Sequence, residues 1–193
     1  MYHIKRDKRS ERSAQLICAG LQQCLLKKEF KRLTIADILT ASTVGRATFY
    51  RLFDSINDVL VYECDQLFQH NVYPIDTNET VERILLRQIK LFMDHDVLLE
   101  TLIESQQIET IYNSQREQIK RVSALFGGID HYPLAQSDFF LSHLTYLIVS
   151  TLVTWVKHDK RETAEELLKN LKTFVDLLSQ SVPLSSSLGD ETN

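Results

Sequence analysis

Between residues 10 and 29 the apolar positions Ala14, Ile17, Cys18, Leu21, Leu25 and Leu26 recur at intervals of three and four. That spacing predicts one face of a helix of about five turns. The stretch "KKEFKRL" breaks the period. Thr34, with Asp37 three positions on, then supplies an N-cap and an acidic first turn, so a second helix is expected over about 35–41. Ser42, Thr43 and Val44 form a turn, Gly45 opens a third helix, and Phe49 with Leu52 or Phe53 points back to the core. Asp54 and Ser55 cap a longer fourth helix over about 56–71, which carries Val59, Leu60, Cys64, Leu67 and Phe68 inward.

Past that point "VYPIDTNETVE" reads as a linker ending in a cap, followed by helices over about 81–95, 97–106 and 109–126. "GGIDHYPLAQSD" is the next break. Two long helices, about 137–158 and 163–181, close the chain, and "PLSSSLGDETN" is expected to be a mobile tail. The organisation expected is a basic arm (1–9), a first helical domain (10–71) whose two short turn-joined helices span about 34–53, a second helical domain (72–182), and the tail (183–193).

Composition agrees with an all-α fold. Only 5 Gly and 3 Pro occur in 193 residues, too few for a protein of many tight β-turns. Cys18, Cys24 and Cys64 are odd in number and lack C-x-x-C spacing, which argues against a disulfide framework or a zinc site; they are expected to be buried small side chains. No apolar run is read as approaching the roughly 20 residues that cross a bilayer, and the start "MYHIKRDKRSER" has no apolar segment behind it. A cytoplasmic protein with no membrane contact is the expectation. The six histidines include no i, i+4 pair on one helix, so no metal is predicted, and no cofactor motif occurs. Nor is there a Gly-rich phosphate loop, a G-x-S-x-G elbow or an H-E-x-x-H, and the chain is not expected to be an enzyme.

Charge is distributed unevenly. Residues 1–60 hold eleven Lys/Arg against six Asp/Glu, whereas residues 61–193 hold eleven against twenty. A basic first third on an acidic remainder suits a nucleic-acid module joined to one of another kind. Two short helices joined by a tight turn and braced by a longer one make a helix-turn-helix, whose second member enters the major groove. Arg46, Ala47, Thr48, Tyr50 and Arg51 occupy its outward or half-outward positions. Arg46 suits guanine or a phosphate, Ala47 and Thr48 suit thymine methyls, and the Tyr50 hydroxyl suits a phosphate oxygen.

In these residues the chain resembles the tetracycline-repressor (TetR) family of transcription regulators. Thr34, Ile35, Ala36, Ile38, Ala41, Val44, Thr48, Phe49, Tyr50 and Phe53 stand in the family's register, without a gap, within a match that covers roughly residues 10–70. The resemblance implies DNA contacts from Thr34, Thr43, Gly45, Arg46, Ala47, Thr48, Tyr50 and Arg51. Three positions depart from the pattern. Thr43 stands where the family usually has Gly, and its branched Cβ resists a positive φ. Gly45 replaces a small hydroxyl residue, losing a side-chain cap while leaving room for a phosphate. Ile56 replaces a phosphate-gripping Lys, which removes about one unit of salt slope unless Lys5, Arg6, Lys8 and Arg9 of the arm compensate.

The resemblance further implies a ligand cavity within helices five to seven, and a four-helix dimer interface made by the last two helices of each copy. Aromatic candidates for the cavity are Phe68, Phe92, Tyr112, Phe126, Tyr146 and Trp155, with Met93 and Tyr132 beside them and polar candidates His95, Gln107, His143 and Thr151. The last two helices carry apolar bands wider than one partner needs: Phe139, Phe140, Leu144, Leu147, Ile148, Leu152 and Trp155 on one, and Leu167, Leu168, Leu171, Phe174, Val175 and Leu178 on the other. A bundle shared by two subunits buries the excess. The expected function is a homodimeric repressor on a double-stranded DNA operator of inverted-repeat form, released by an effector of unknown identity. The alternatives are a TetR-like activator or adaptor whose effector is a protein, and a helical binding module with no DNA role.

Overall fold

The computed structural model describes residues 1–5, 7–70, 80–122 and 134–180. Nine α-helices run through the described residues: α1 Lys8–Leu25, α2 Ile35–Ser42, α3 Arg46–Leu52, α4 Ile56–His70, α5 Val81–Met93, α6 Asp96–Glu104, α7 Ile108–Val122, α8 Leu134–Lys157 and α9 Ala164–Gln180. The all-α class holds. The expected break after residue 71, the loop around residue 130, Phe126, Tyr132, Arg6 and the tail lie outside the described residues.

Local chemistry sets the helix ends. Asp7 caps α1, its Oδ1 accepting from the backbone N–H of Arg9 (3.1 Å) and Ser10 (2.9 Å), so the helix starts earlier than periodicity suggests. It also ends earlier. Leu26, expected on the apolar face, is the C-cap and is 78% exposed. A 3₁₀ turn, Phe30–Arg32, leads into α2, and Thr34 and Asp37 form a reciprocal capping box there. Ser55 and Asp58 do the same for α4: the Asp58 carboxylate accepts from the N–H of Ser55 (2.9 Å), while its own N–H donates to Ser55 Oγ (3.3 Å).

A single core runs through both halves of the molecule, and α4 belongs to each. In the first half Ala14, Ile17, Leu21, Ile38, Phe49, Leu52 and Phe53 are buried between α1, α2, α3 and α4. In the second, Phe68 of α4 meets Phe92 of α5 edge to face at 5.2 Å, and Leu99, Leu102, Ile111, Ile148 and Leu152 continue the interior. Gly20 of α1 makes the tight crossing with α2 possible. A Cβ there would stand 2.8 Å from the Ser42 Cβ and 2.9 Å from the Ser42 nitrogen.

The apolar reach of α8 exceeds the sequence expectation. Asp138–Lys157 has a mean hydropathy of 1.6 and, by length and composition, is long enough to cross a bilayer. Ser142, His143, Thr145, Ser150, Thr151 and Thr154 interrupt it, and the hydroxyls of Thr145 and Thr151 donate to the carbonyls one turn back at 2.6 and 2.8 Å. That is why no unbroken apolar run is visible in the sequence.

Candidate nucleic-acid interface

The turn between α2 and α3 is Thr43–Val44–Gly45, and Thr43 adopts φ 57° and ψ 18°, squarely left-handed. The turn is therefore built as though Gly were present, and Thr43 carries the strain instead of tilting it away. The Ser42 hydroxyl braces it by accepting from the Val44 N–H at 3.3 Å. Gly45 follows at φ −69° as the N-cap of α3, with no side-chain cap. A Cβ on Gly45 would meet nothing within 4 Å, so neither backbone conformation nor packing demands glycine there. The first N–H groups of α3 are left open to an outside acceptor such as a phosphate oxygen.

On α3 the buried side is Phe49 and Leu52, which leaves Gly45, Arg46, Ala47, Tyr50 and Arg51 exposed and Thr48 half-buried. Tyr50 packs its ring edge to face on Phe49 at 5.6 Å, and the Arg46 guanidinium lies 6.0 Å from its centroid. The phenol is thus oriented from below and flanked by a cation. Thr43 is exposed in the turn. Thr34 is exposed as well, but its hydroxyl is engaged with Asp37 at 2.8 Å. The Lys28 ammonium, 2.7 Å from the same carboxylate, together with the Thr34 bonds, holds Asp37 down at about 2.

The chain start lies against this unit. Tyr2 forms an antiparallel bridge with Phe53, the His3 N–H donates to the Leu52 carbonyl at 2.8 Å, and Lys5, Lys8 and Arg9 are exposed. Tyr2 and Tyr62 rings meet at 5.2 Å. The Tyr2 hydroxyl donates to Asp65 Oδ2 at 2.8 Å, and the other oxygen of that carboxylate accepts from Ser114 Oγ of α7, also at 2.8 Å. Asp65 therefore ties the segment beside α3 to α7. Burial and this bond push the Tyr2 phenol up to about 12.

At the start of α4 the half-buried Ile56 joins the core, and the nearby acids are Asp54 and Asp58. His3 Nε2, 3.1 Å from Asp54, contributes most to holding that carboxyl below its usual range. The Met1 ammonium pairs with both acids, 3.2 Å from Asp54 and 2.7 Å from Asp58, so the carboxylates at this helix start are already engaged and no lysine stands there.

The candidate ligand residues do not form one cluster. Phe68 and Phe92 are in contact in the interior, whereas Tyr112 stacks at 4.3 Å on Tyr146, which is 55% exposed. Trp155 is buried but lines a groove of about 280 Å³ between α8 and α9, together with Thr151 and Phe174. Its indole N–H donates to the Glu162 carbonyl at 3.0 Å. Of the polar candidates, His95 bonds the Leu91 carbonyl at 2.9 Å and His143 stacks against the exposed Phe139. Cys18, Cys24 and Cys64 are free thiols, and burial pushes the Cys64 thiol up to about 12. Among the described residues no cluster of metal-ligating side chains occurs.

Sequence reading missed Gly20, the Tyr2–Asp65–Ser114 chain and two buried glutamines, Gln88 and Gln115. A lone glycine inside a helical pattern was the one available signal.

No family model matches the sequence, and no curated protein matches it. Solved structures do match in three dimensions. The Listeria innocua protein Lin0861 superimposes with a TM-score of 0.68 at 19% identity, over 91% of this chain and 96% of that one. A chain from Syntrophomonas wolfei str. Goettingen, assigned to the TetR family of transcriptional regulators, gives 0.61 at 17% identity, over 91% and 99%. The dihydroxyacetone kinase operon activator DhaS gives 0.61 at 13% identity, over 91% and 98%. The likeness is one of fold: the chain shares the all-α, TetR-like architecture of these proteins over 91% of its length.

Proposed function

We propose, from this TetR-like fold, that the chain is a transcriptional regulator that binds double-stranded DNA as a homodimer and is released from an inverted-repeat operator by an effector. The observation that carries the reading is the face of α3, where Arg46, Ala47, Tyr50 and Arg51 are exposed together beside an uncapped helix start while Phe49 and Leu52 anchor the helix from behind. In the major groove Arg46 reads guanine or grips phosphate, Ala47 and Thr48 touch thymine methyls, and Tyr50 donates to a phosphate. A cytoplasmic location goes with that role.

Dimerisation runs through α8 and α9. Phe139, Phe140, Phe174, Val175, Leu177 and Leu178 are all exposed in the single chain, and a second copy laid against them buries the band. The effector acts from the second half of the molecule. Asp65 is held at once by Tyr2 and by Ser114, so a displacement of α7 against α4 pulls on the segment bridged to Phe53 and changes the separation of the two recognition helices. Effector and operator then oppose each other by linkage.

Ile56 at the start of α4, in place of a phosphate-gripping Lys, favours a second reading, in which DNA contact is weak and the effector is a protein, so that the chain works as an activator or adaptor. One of the structurally similar proteins is itself an operon activator. Fluorescence anisotropy on DNA from upstream of the chain's own gene, against scrambled DNA at two salt concentrations, separates the readings. Selective, salt-sensitive binding that falls by about 1–3 kcal/mol in Arg46→Ala and Tyr50→Phe supports the first. Equal weak binding to both DNAs, unchanged in the variants, removes it.

A further inference from the structure

Helices α4, α7, α8 and α5 close a ring around the interior of the second half. Ser114 bonds Asp65 across α4 and α7, Tyr112 and Arg116 meet Tyr146 and Asp138 across α7 and α8, α8 packs on α5, and Phe92 meets Phe68 across α5 and α4. At 100° per residue, Ser114 on one side of α7 and the Tyr112–Arg116 pair on the other leave Gln115 on the bisector, aimed into the ring between Ile111 and Ile119. Gln115 is 0% exposed, and both polar atoms of its amide lack a hydrogen-bond partner. On α5 Gln88 stands at the middle of the buried face, one turn before Phe92, with its Oε1 also unpartnered.

Such an arrangement is unfavourable by the full desolvation of a donor and an acceptor, and native proteins rarely leave an amide in that condition. Leu or Met would fill the position without that loss. We infer that Gln115, with Gln88, is the polar anchor of an effector site in the ring, and that its ligand is an uncharged small molecule presenting a carboxamide or lactam edge on an apolar body. The inference rests on the regulatory reading above for its purpose, though not for its chemistry. An amide side chain offers one donor and one acceptor side by side, which a second amide edge complements in full. Charge is excluded by the surroundings. The buried polar residues among those described are Ser, Thr and Gln, the Asp65 carboxylate is already engaged by Tyr2 and Ser114, and Arg87 of α5, whose Nε is buried and unbonded, is itself already engaged in another interaction. An ion placed in the ring would lack a counter-charge.

The test is a titration of the full chain with butyramide, 2-pyrrolidinone and benzamide, and with benzoate and benzylammonium as charged counterparts. Binding is followed on the Gln115 side-chain NH₂ resonance, which is assigned by its loss in Gln115→Leu. The neutral amides are expected to shift that resonance saturably, and Gln115→Leu or Gln115→Met to weaken benzamide binding by about tenfold or more with helical circular dichroism retained. The idea is overturned if no neutral amide moves the resonance, if benzoate or benzylammonium binds as well, or if both variants bind benzamide undiminished. Operator anisotropy on the same samples separates the two failures. A chain that binds DNA but no amide overturns this inference alone, and one that binds benzamide through Gln115 but no DNA overturns only the regulatory reading.

Discussion

Thr43 holds a backbone conformation suited to glycine at the tightest point of the helix-turn-helix, with φ 57°. A branched L-residue there is disfavoured by about 1–2 kcal/mol. Thr43→Gly is expected to raise stability by about 1 kcal/mol in urea denaturation, because relief of the strain outweighs the added freedom of the unfolded chain. Glu63 presents a second localised cost. It sits on α4 against α1, where burial lifts its carboxyl from 4.5 to about 7 even though Gln22 donates to it at 2.6 Å, and its Oε2 has no partner. Since the folded value lies above the unfolded one, the stability contributed by the protonated acid is complete below the unfolded value and is lost as pH rises through about 7. Glu63→Gln should therefore flatten the fall in stability between the two values, by at most about 3 kcal/mol. Unfolding midpoints across pH 4 to 8, a range of about four units set by those two values, give the check.

Among the elements, α3 and the start of α4 set the DNA affinity on the proposed reading. The α3 face is cationic and aromatic, but α4 begins with Ile56, and Asp54 and Asp58 beside it are paired with the Met1 ammonium, so this helix start adds no side-chain cation for a phosphate. Ile56→Lys is expected to tighten DNA binding and steepen its dependence on log salt by about one unit. Anisotropy titrations at several salt concentrations read both quantities, and an unaltered slope would place α4 away from the backbone. Gly20 of α1 lets Ser42 approach, and this close crossing packs α1 against the end of α2 just before the turn.

On the scale of the whole molecule, the proposed dimer rests on the exposed apolar band of α8 and α9. Leu177 and Leu178 are 58% and 55% exposed in the single chain, far more than a solitary core helix requires. Leu178→Glu is expected to dissociate the dimer in sedimentation velocity and to weaken operator binding, since two half-sites about 34 Å apart need two linked recognition helices. A variant that remains dimeric would move the interface off α9.

Periodicity, caps and turn chemistry made the helices legible in the sequence, because each depends on residues within about one turn of one another: Thr34 with Asp37, Ser55 with Asp58, and Phe49 with Leu52. The outward set on α3 followed from the same geometry. What sequence left open was long-range. Tyr2 meets Asp65 and Asp65 meets Ser114 across separations of 63 and 49 residues, and no local pattern announces either contact. Trp155 and Tyr146 read as interior aromatics, yet one lines the α8–α9 groove and the other is exposed, because a broad apolar helix does not reveal which side its partner takes. The sequence by itself determined the all-α elements and the outward face of α3, since backbone hydrogen bonding and capping act over short stretches. Only the tertiary structure decided that Thr43 bears a positive φ, that Gly20 is a contact point, and that Gln115 is buried with its amide unmet, because each depends on what distant segments bring to the same place.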